Sequence, residues 1–241
     1  MSVCAQIRNP CLDDLSGLEA DYELYIDGTM KQSAFLDLIE KVVHREVDLD
    51  ACPLVVRFDS VDFTPDVSTA FLALASSPFM KYTTMLRIEN SRFDSLHACD
   101  LVCQAVKELR GLRGLSLSRT ELDDAYRFDE AISTLPELNY LDLDESLLCL
   151  QASRRLMIIR RMPSSVTQLN LSTNGLTTDD VRTIINILPK DGEHSQLEDL
   201  ILSYNHSITV TPELIDRIKC ALPRLRELSF DDDNVLSSSA A

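Results

Sequence analysis

The chain is 241 residues long, 45% hydrophobic and 26% charged, which suits a globular or solenoid protein with ample core. Its formal net charge of −16 argues against nucleic acid and anionic membranes as partners, because both bind through clustered lysine and arginine, and leaves a basic protein surface as the fitting counterpart. No apolar run approaches the roughly 18 residues of a transmembrane helix, and the start MSVCAQIRNPCLDDL lacks the basic and apolar regions of a cleaved signal.

Residues 1–20 show no repeat and are expected to cap the exposed edge of a first strand. Beyond them, three apolar positions recur at fixed spacing, each set followed by a position that becomes polar along the chain. The first copy is faint, Asp21, Leu24 and Ile26 with Thr29, and Ser33 then heads a helix with Phe35, Leu36, Ile39, Val42 and Val43 on one face. Pro53, Val56 and Phe58 with Val61 and Phe63 come next. Thr64-Pro65-Asp66 opens the following helix as an N-cap with proline at the first helical position, and it runs through Phe71 and Leu72.

The third copy is Thr83, Leu86 and Ile88 with Ser91 and Phe93. Asp94 or Ser95 starts a helix whose apolar stripe is Leu96, Cys99, Val102, Cys103, Val106 and Leu109. Leu112, Leu115 and Leu117 with Thr120 and Leu122 lead to a shorter helix marked by Phe128, Ile132 and Leu135. Leu138, Leu141 and Leu143 with Ser146 and Leu148 lead to one around Leu156 and Ile159. Val166, Leu169 and Leu171 with Asn174 and Leu176 precede a helix that begins at Thr178-Asp-Asp. Leu197, Leu200 and Leu202 with Asn205 precede one that begins at Thr211-Pro212-Glu213, and Leu225, Leu228 and Phe230 with Asp233 end the series. The polar position runs 29, 61, 91, 120, 146, 174, 205, 233, in steps of 26 to 32 residues. Eight matches at one period exclude chance.

The best copy, Val166-Thr-Gln-Leu-Asn-Leu-Ser-Thr-Asn-Gly-Leu176, matches the segment L-x-x-L-x-L-x-x-N-x-L at every fixed position and resembles the leucine-rich repeat. Steps of this length leave roughly 15 to 20 residues between strands, room for a full helix, so the chain is similar to the ribonuclease-inhibitor-like class. The resemblance implies an α/β solenoid, an open horseshoe or arc over residues 21–236. About eight parallel strands would line its concave face and helices its convex face, with a disordered tail at 237–241. The polar residues Ser91, Thr120, Ser146, Asn174 and Asn205 would form an inward ladder between repeats, each needing partners in a neighbouring copy.

Side chains alternate along a strand, so residues between the leucines line the concave face. One column reads Tyr25, Arg57, Arg87, Ser116, Asp142, Asn170, Ile201, Ser229. The column just after the strand reads Asp27, Asp59, Glu89, Ser118, Asp144, Ser172, Ser203, Asp231. The column before the second leucine reads Glu23, Val55, Met85, Gly114, Tyr140, Gln168, Asp199, Glu227. Arg57 and Arg87 fall on adjacent strands beside Asp27, Asp59 and Glu89, either as a self-satisfied charge ladder or as a site that grips a carboxylate or other anion. From Tyr140 onward the face carries acids without lysine, placed for solubility or for a basic partner. Tyr25, Tyr140 and Tyr204 are candidate contact aromatics. The candidate binding set is Tyr25, Arg57, Arg87, Tyr140, Asp142, Asp199, Ile201, Tyr204, Glu227 and Asp231.

Catalytic readings find less support. Cys99 and Cys103 stand at i, i+4 near His97, but both lie on the apolar stripe and His97 does not. His44, His97, His194 and His206 align with no serine or cysteine as a triad, and no glycine-rich phosphate loop is present. The seven cysteines show no disulfide or zinc spacing, so a reducing, cytoplasmic compartment is the simpler reading. Of two sequons, Asn170-Leu-Ser172 and Asn205-His-Ser207, the second uses the ladder asparagine, where a glycan could not coexist with the fold. Arg154, Arg155, Arg160 and Arg161 form a basic patch on a convex helix and read as a solvated face. The architecture also resembles leucine-rich-repeat GTPase-activating proteins, which use a loop arginine; Arg119 is the candidate here. Met162-Pro-Ser-Ser-Val-Thr-Gln-Leu-Asn-Leu-Ser-Thr-Asn174 looks like the repeats of effectors that intracellular bacteria inject into host cells. The expectation is a monomeric, non-enzymatic scaffold that binds a basic protein on its concave face, with no cofactor, metal or small-molecule substrate. It would be an injected effector or an endogenous inhibitor or adaptor.

Overall fold

The computed structural model describes residues 6–8, 22–28, 33, 54–123, 127–188, 196–230 and 236–237. Its elements are β1 (Gln6–Arg8), β2 (Tyr22–Asp27), β3 (Leu54–Asp59), β4 (Asp62–Phe63), α1 (Pro65–Ala75), a 3-10 turn (Pro78–Tyr82), β5 (Thr83–Glu89), β6 (Arg92–Phe93) and α2 (Leu96–Glu108). There follow β7 (Gly114–Ser116), α3 (Phe128–Ile132), β8 (Tyr140–Asp142), α4 (Ala152–Arg161), β9 (Gln168–Asn170), α5 (Thr178–Ile187), β10 (Asp199–Ile201), α6 (Pro212–Ala221), β11 (Glu227–Ser229) and β12 (Leu236–Ser237). The helix expected after Ser33 and the ladder position Thr29 lie outside the described residues.

Strands β2, β3, β5, β7, β8, β9, β10 and β11 are parallel and stand in the sheet in their order along the chain. A parallel partner that is also the next strand requires every connection to cross over on one side, which is the geometry of a leucine-rich-repeat solenoid. Successive helices α1 to α6 pack on one another along that side. β1 pairs antiparallel with β2, and β12 antiparallel with β11, so Ser237, the first residue of the expected tail, is part of a strand.

The helices start where side chains stop the preceding loop. Thr64, Ser95, Thr177 and Thr211 each accept the amide of the residue three positions on, and Asp180 returns a bond to the amide of Thr177. The core between sheet and helices is leucine in the later repeats, while earlier repeats place rings there: Phe63 stacks on Phe93 at 5.3 Å and Phe58 meets Phe71 edge-on at 4.7 Å. Two sequence assignments change. Leu96, counted in the stripe of α2, is largely exposed at its first turn, and Leu148 is exposed while its neighbours Leu147 and Leu150 are buried. After Ser146 the chain turns into the core one residue earlier than in the other repeats, through Leu147.

The turns after β3, β5, β7, β8, β9 and β10 repeat one backbone state. Ser60, Asn90, Arg119, Glu145, Thr173 and Tyr204, each one residue before the ladder position, hold φ between 51° and 58°. Gly28 occupies the same place in the first repeat. Its amide donates to Asp59 O at 2.9 Å, and a Cβ there would sit 1.6 Å from Ser60 O, so only glycine fits.

Candidate binding face of the sheet

The ladder sets the register on which the open face depends. Asn174 Nδ2 donates to the carbonyls of Leu143 and Ser172, both at 2.8 Å, and its Oδ1 accepts the amide of Leu147 at 2.8 Å. Asn205 does the same one repeat on: Nδ2 reaches Leu171 O at 3.0 Å and Oδ1 accepts the amides of Asn174 and Leu176. Toward the N-terminus hydroxyls take over. Ser146 Oγ donates to Leu117 O, Thr120 Oγ1 to Ile88 O, and Ser91 Oγ accepts from the Val61 amide. At Val61 the series is apolar and buried.

Because the strands pair residue for residue, Tyr25, Arg57, Arg87, Ser116, Asp142, Asn170, Ile201 and Ser229 form one continuous row across the sheet. At its N-terminal end the charges neutralise one another. Arg57 Nη2 lies 2.8 Å from Glu89 and 3.8 Å from Asp59, and Arg87 Nη1 lies 3.9 Å from Glu89. Tyr25 donates to Asp59 at 3.2 Å, and the Arg57 guanidinium sits 5.6 Å over its ring. Asn90 and Ser60 also donate to Asp59. Burial pushes the Glu89 carboxyl up, against the pull of Arg57 and Arg87. Both arginines are thus paired with Glu89, although the Nε atoms of Arg57 and Arg87 are buried without a hydrogen-bond partner.

The middle of the row is closed. Asp142 is 9% exposed, accepts Ser116 Oγ at 3.0 Å and the Asp144 amide at 3.0 Å, and is pushed up by burial despite those bonds. Tyr140 is half-buried beside it, its phenol pushed up by burial and then by the Asp142 carboxylate. Asp142 is thus not the free surface acid expected, and Tyr140 and Tyr25 are held within the face rather than standing clear of it. Met85 and Ser116, which the alternation places on the open side, are nevertheless 1% and 2% exposed.

Past β8 the face opens. Asp199 accepts Gln168 Nε2 at 2.9 Å, Glu227 is exposed beside it on β11, and Ile201 lies half-buried two residues along β10. The rows of β8 to β11 carry Asp142, Asp144, Asp199 and Glu227 and no lysine or arginine. Tyr204, at the turn after β10, is 50% exposed. Asp231 lies outside the described residues.

The other candidates resolve locally. Arg119 occupies a left-handed turn 3.3 Å from Glu145. The basic patch is a clamp rather than a solvated face: Arg154 Nη2 lies 2.8 Å and Arg161 Nη1 3.1 Å from Asp129, which is 1% exposed in the first turn of α3, and Arg155 donates to Asn174 O. Sequence reading missed Asp129, since a lone acid 25 residues from its arginine leaves no local trace. Cys99 and Cys103 are buried, with the Cys99 thiol pushed up by its bond to Cys103 and by burial, whereas Cys149 and Cys220 are exposed. Among the described residues no group of three or more histidines, cysteines or acids could hold a metal, and no helix is long and apolar enough to cross a membrane.

No family model matches the chain, and no curated protein matches it. Among solved structures, an internalin from Listeria monocytogenes aligns at 15% identity with a TM-score of 0.40, over 74% of this chain and 53% of that one, so the chain spans about half its length. A Bacteroides fragilis protein aligns at 9% identity with a TM-score of 0.36, over 86% and 73%. Likeness at this level carries no argument about function.

Proposed function

We propose that the chain is a non-enzymatic protein-binding scaffold that receives a basic protein surface on the open face of its sheet. The observation that carries this is the asymmetry of that face. The arginines of β3 and β5 are consumed by Asp59 and Glu89, while the rows of β8 to β11 offer Asp199 and Glu227 with no cation of their own. Long-range attraction would draw a basic partner to that half, and contacts that lose water would then hold it. The residue set of the site accordingly narrows from ten to the later strands: Asp199, Ile201, Tyr204 and Glu227, with Asp231 by position.

The test uses a synthetic twelve-residue lysine–serine peptide, labelled for fluorescence anisotropy at two salt concentrations. Asp199→Lys with Glu227→Lys should abolish most binding. Asp179→Lys with Asp216→Lys, an equal change of net charge on α5 and α6, should leave it near the parent value. Equal losses from both pairs would reduce the effect to net charge and sink the proposal. An injected effector and an endogenous cytosolic inhibitor or adaptor would use the same surface, and the genomic neighbourhood separates them. The resemblance of residues 162–174 favours the first. A GTPase-activating role through Arg119 would show as loss of stimulation in an Arg119→Ala variant.

A further inference from the structure

Glu89 stands in the open face as a carboxylate held between two guanidinium groups. Arg57 and Arg87 are directly opposed on β3 and β5, one strand spacing of about 4.8 Å apart. Arg57 Nη2 lies 2.8 Å from one Glu89 oxygen and Arg87 Nη1 3.9 Å from the other, so each oxygen meets one arginine. Among the described residues the carboxylate has no further partner. Asp59, the other acid beside Arg57 at 3.8 Å, is instead tied by donors of its own, Tyr25, Ser60 and Asn90.

This arrangement leaves both arginines short of partners. Their Nε atoms are buried without a hydrogen-bond partner, and the contact from Arg87 is too long for a hydrogen bond. Their side chains are 31% and 25% exposed against 15% for the acid between them, so more of each arginine than of Glu89 is open to solvent. Two opposed like charges repel unless an anion answers both. A carboxylate does so with one oxygen for each guanidinium, as Glu89 itself demonstrates.

We infer that Glu89 is the internal occupant of a two-arginine carboxylate clamp, which takes a carboxylate from a partner when Glu89 loses its charge. The clamp lies on β3 and β5, and it does not depend on the basic-partner reading of the later strands. Burial pushes the Glu89 carboxyl up, Asp59 and Asp142 add to the push, and Arg57 and Arg87 oppose it. β7, between β5 and β8, carries no titratable side chain. On β8 the Asp142 carboxyl is itself pushed up by burial, and the Tyr140 phenol is pushed up and stays neutral. As pH falls through the raised Glu89 value, the internal carboxylate is discharged while the guanidinium groups keep their charge. An exposed carboxyl on a partner, with an ordinary pKa, is still largely ionised there.

Trifluoroacetate tests this, because it is a carboxylate that stays ionised throughout the range and its fluorine resonance shifts and broadens on weak binding. At constant ionic strength the parent should bind it about tenfold more tightly near pH 4.5 than near pH 7.5. Glu89→Gln should bind it near pH 7.5 as well, with a pH dependence reduced to the part that Asp142 supplies. Adding Arg57→Gln or Arg87→Gln to Glu89→Gln should remove binding at both values. Glu130→Gln, an equal change of net charge on α3, should behave as the parent does. Circular dichroism reads the folding of each variant, and the parent alone already tests the idea without any substitution. Equal affinity of the parent at the two pH values, or binding that survives loss of both arginines, overturns the clamp. Binding of sulfate but not trifluoroacetate under the same conditions overturns the assignment to a carboxylate.

Discussion

Asn174 is bonded to Leu143, 31 residues earlier, through a 2.8 Å hydrogen bond from its side-chain amide to the leucine carbonyl, and this bond joins two turns of the solenoid across the buried interior. The same amide group serves Ser172, and its oxygen serves Leu147. Asn174→Ala should therefore strand several buried polar groups and cost about 1 to 3 kcal/mol. Leu171→Ala, a pure truncation of a fully buried side chain, should cost about 2 to 5 kcal/mol. Urea titrations of both variants check this; parent-like midpoints would refute the ladder.

Asp129 predicts an unequal response among four arginines. Arg154→Ala removes the nearer of two cations from a carboxylate that is 1% exposed, leaving Arg161, and should cost about 1 to 3 kcal/mol. Arg160→Ala, at an exposed position of the same helix, should change stability by less than about 0.5 kcal/mol. Asp129→Ala combined with Arg154→Ala should cost less than the two separate losses together, because neither charge is then left alone. Additive losses in a double-mutant cycle would contradict the clamp.

Glu89 and Asp142 give the fold an acid-side dependence of unusual sign. Both carboxyls are held above the ordinary range by burial. A carboxyl whose pKa is higher folded than unfolded binds its proton more readily in the folded chain, so between the two values the contribution of these groups to stability rises as pH falls. Asp62, held low by its bond to Arg92, works the other way: its contribution, present above the ordinary carboxylate range, is lost as pH falls through its folded value. It lies at the surface, so screening weakens it. Asp142→Asn should therefore flatten the stabilisation seen when pH is lowered toward about 4. Denaturant midpoints in half-unit pH steps measure it; curves for variant and parent that run parallel would exclude Asp142 as a source.

The thiols divide by position. Cys149 and Cys220 should alkylate rapidly in the native protein, while Cys99 and Cys103 should react only after unfolding. Intact mass against time reads the two classes. Rapid modification of Cys103 would place α2 in a different orientation and reopen a chemical role for it.

The strands were legible because their leucines alternate with polar residues and end on a countable polar position; a period of 26 to 32 survives even where Thr29, Val61 or Ser91 replaces asparagine. The rows of the open face followed from that count, and the pairing of Arg57 with Arg87 and of Asp142 with Asn170 matches it. What escaped was depth. Alternation assigns Met85 and Asp142 to the open side but says nothing of how deeply each is buried. Leu147 and Leu148 are chemically identical, so no local pattern decides which one enters the core. The grip on Asp129 and the backbone state of Tyr204 are relations between repeats, and no local pattern announces them.

The recurrent left-handed turn also marks unused margin. Among the described residues, six other than glycine hold a backbone state that glycine adopts freely, at a cost on the order of 1 kcal/mol each. Ser60, Asn90, Glu145 and Thr173 could exchange to glycine away from the packed interior, and each exchange trades that strain against a looser unfolded chain. Thr173, branched at its β carbon, has the most to gain. A hardened scaffold is thus reachable through its hinges alone, and at Tyr204 the same exchange would set durability against recognition at one position.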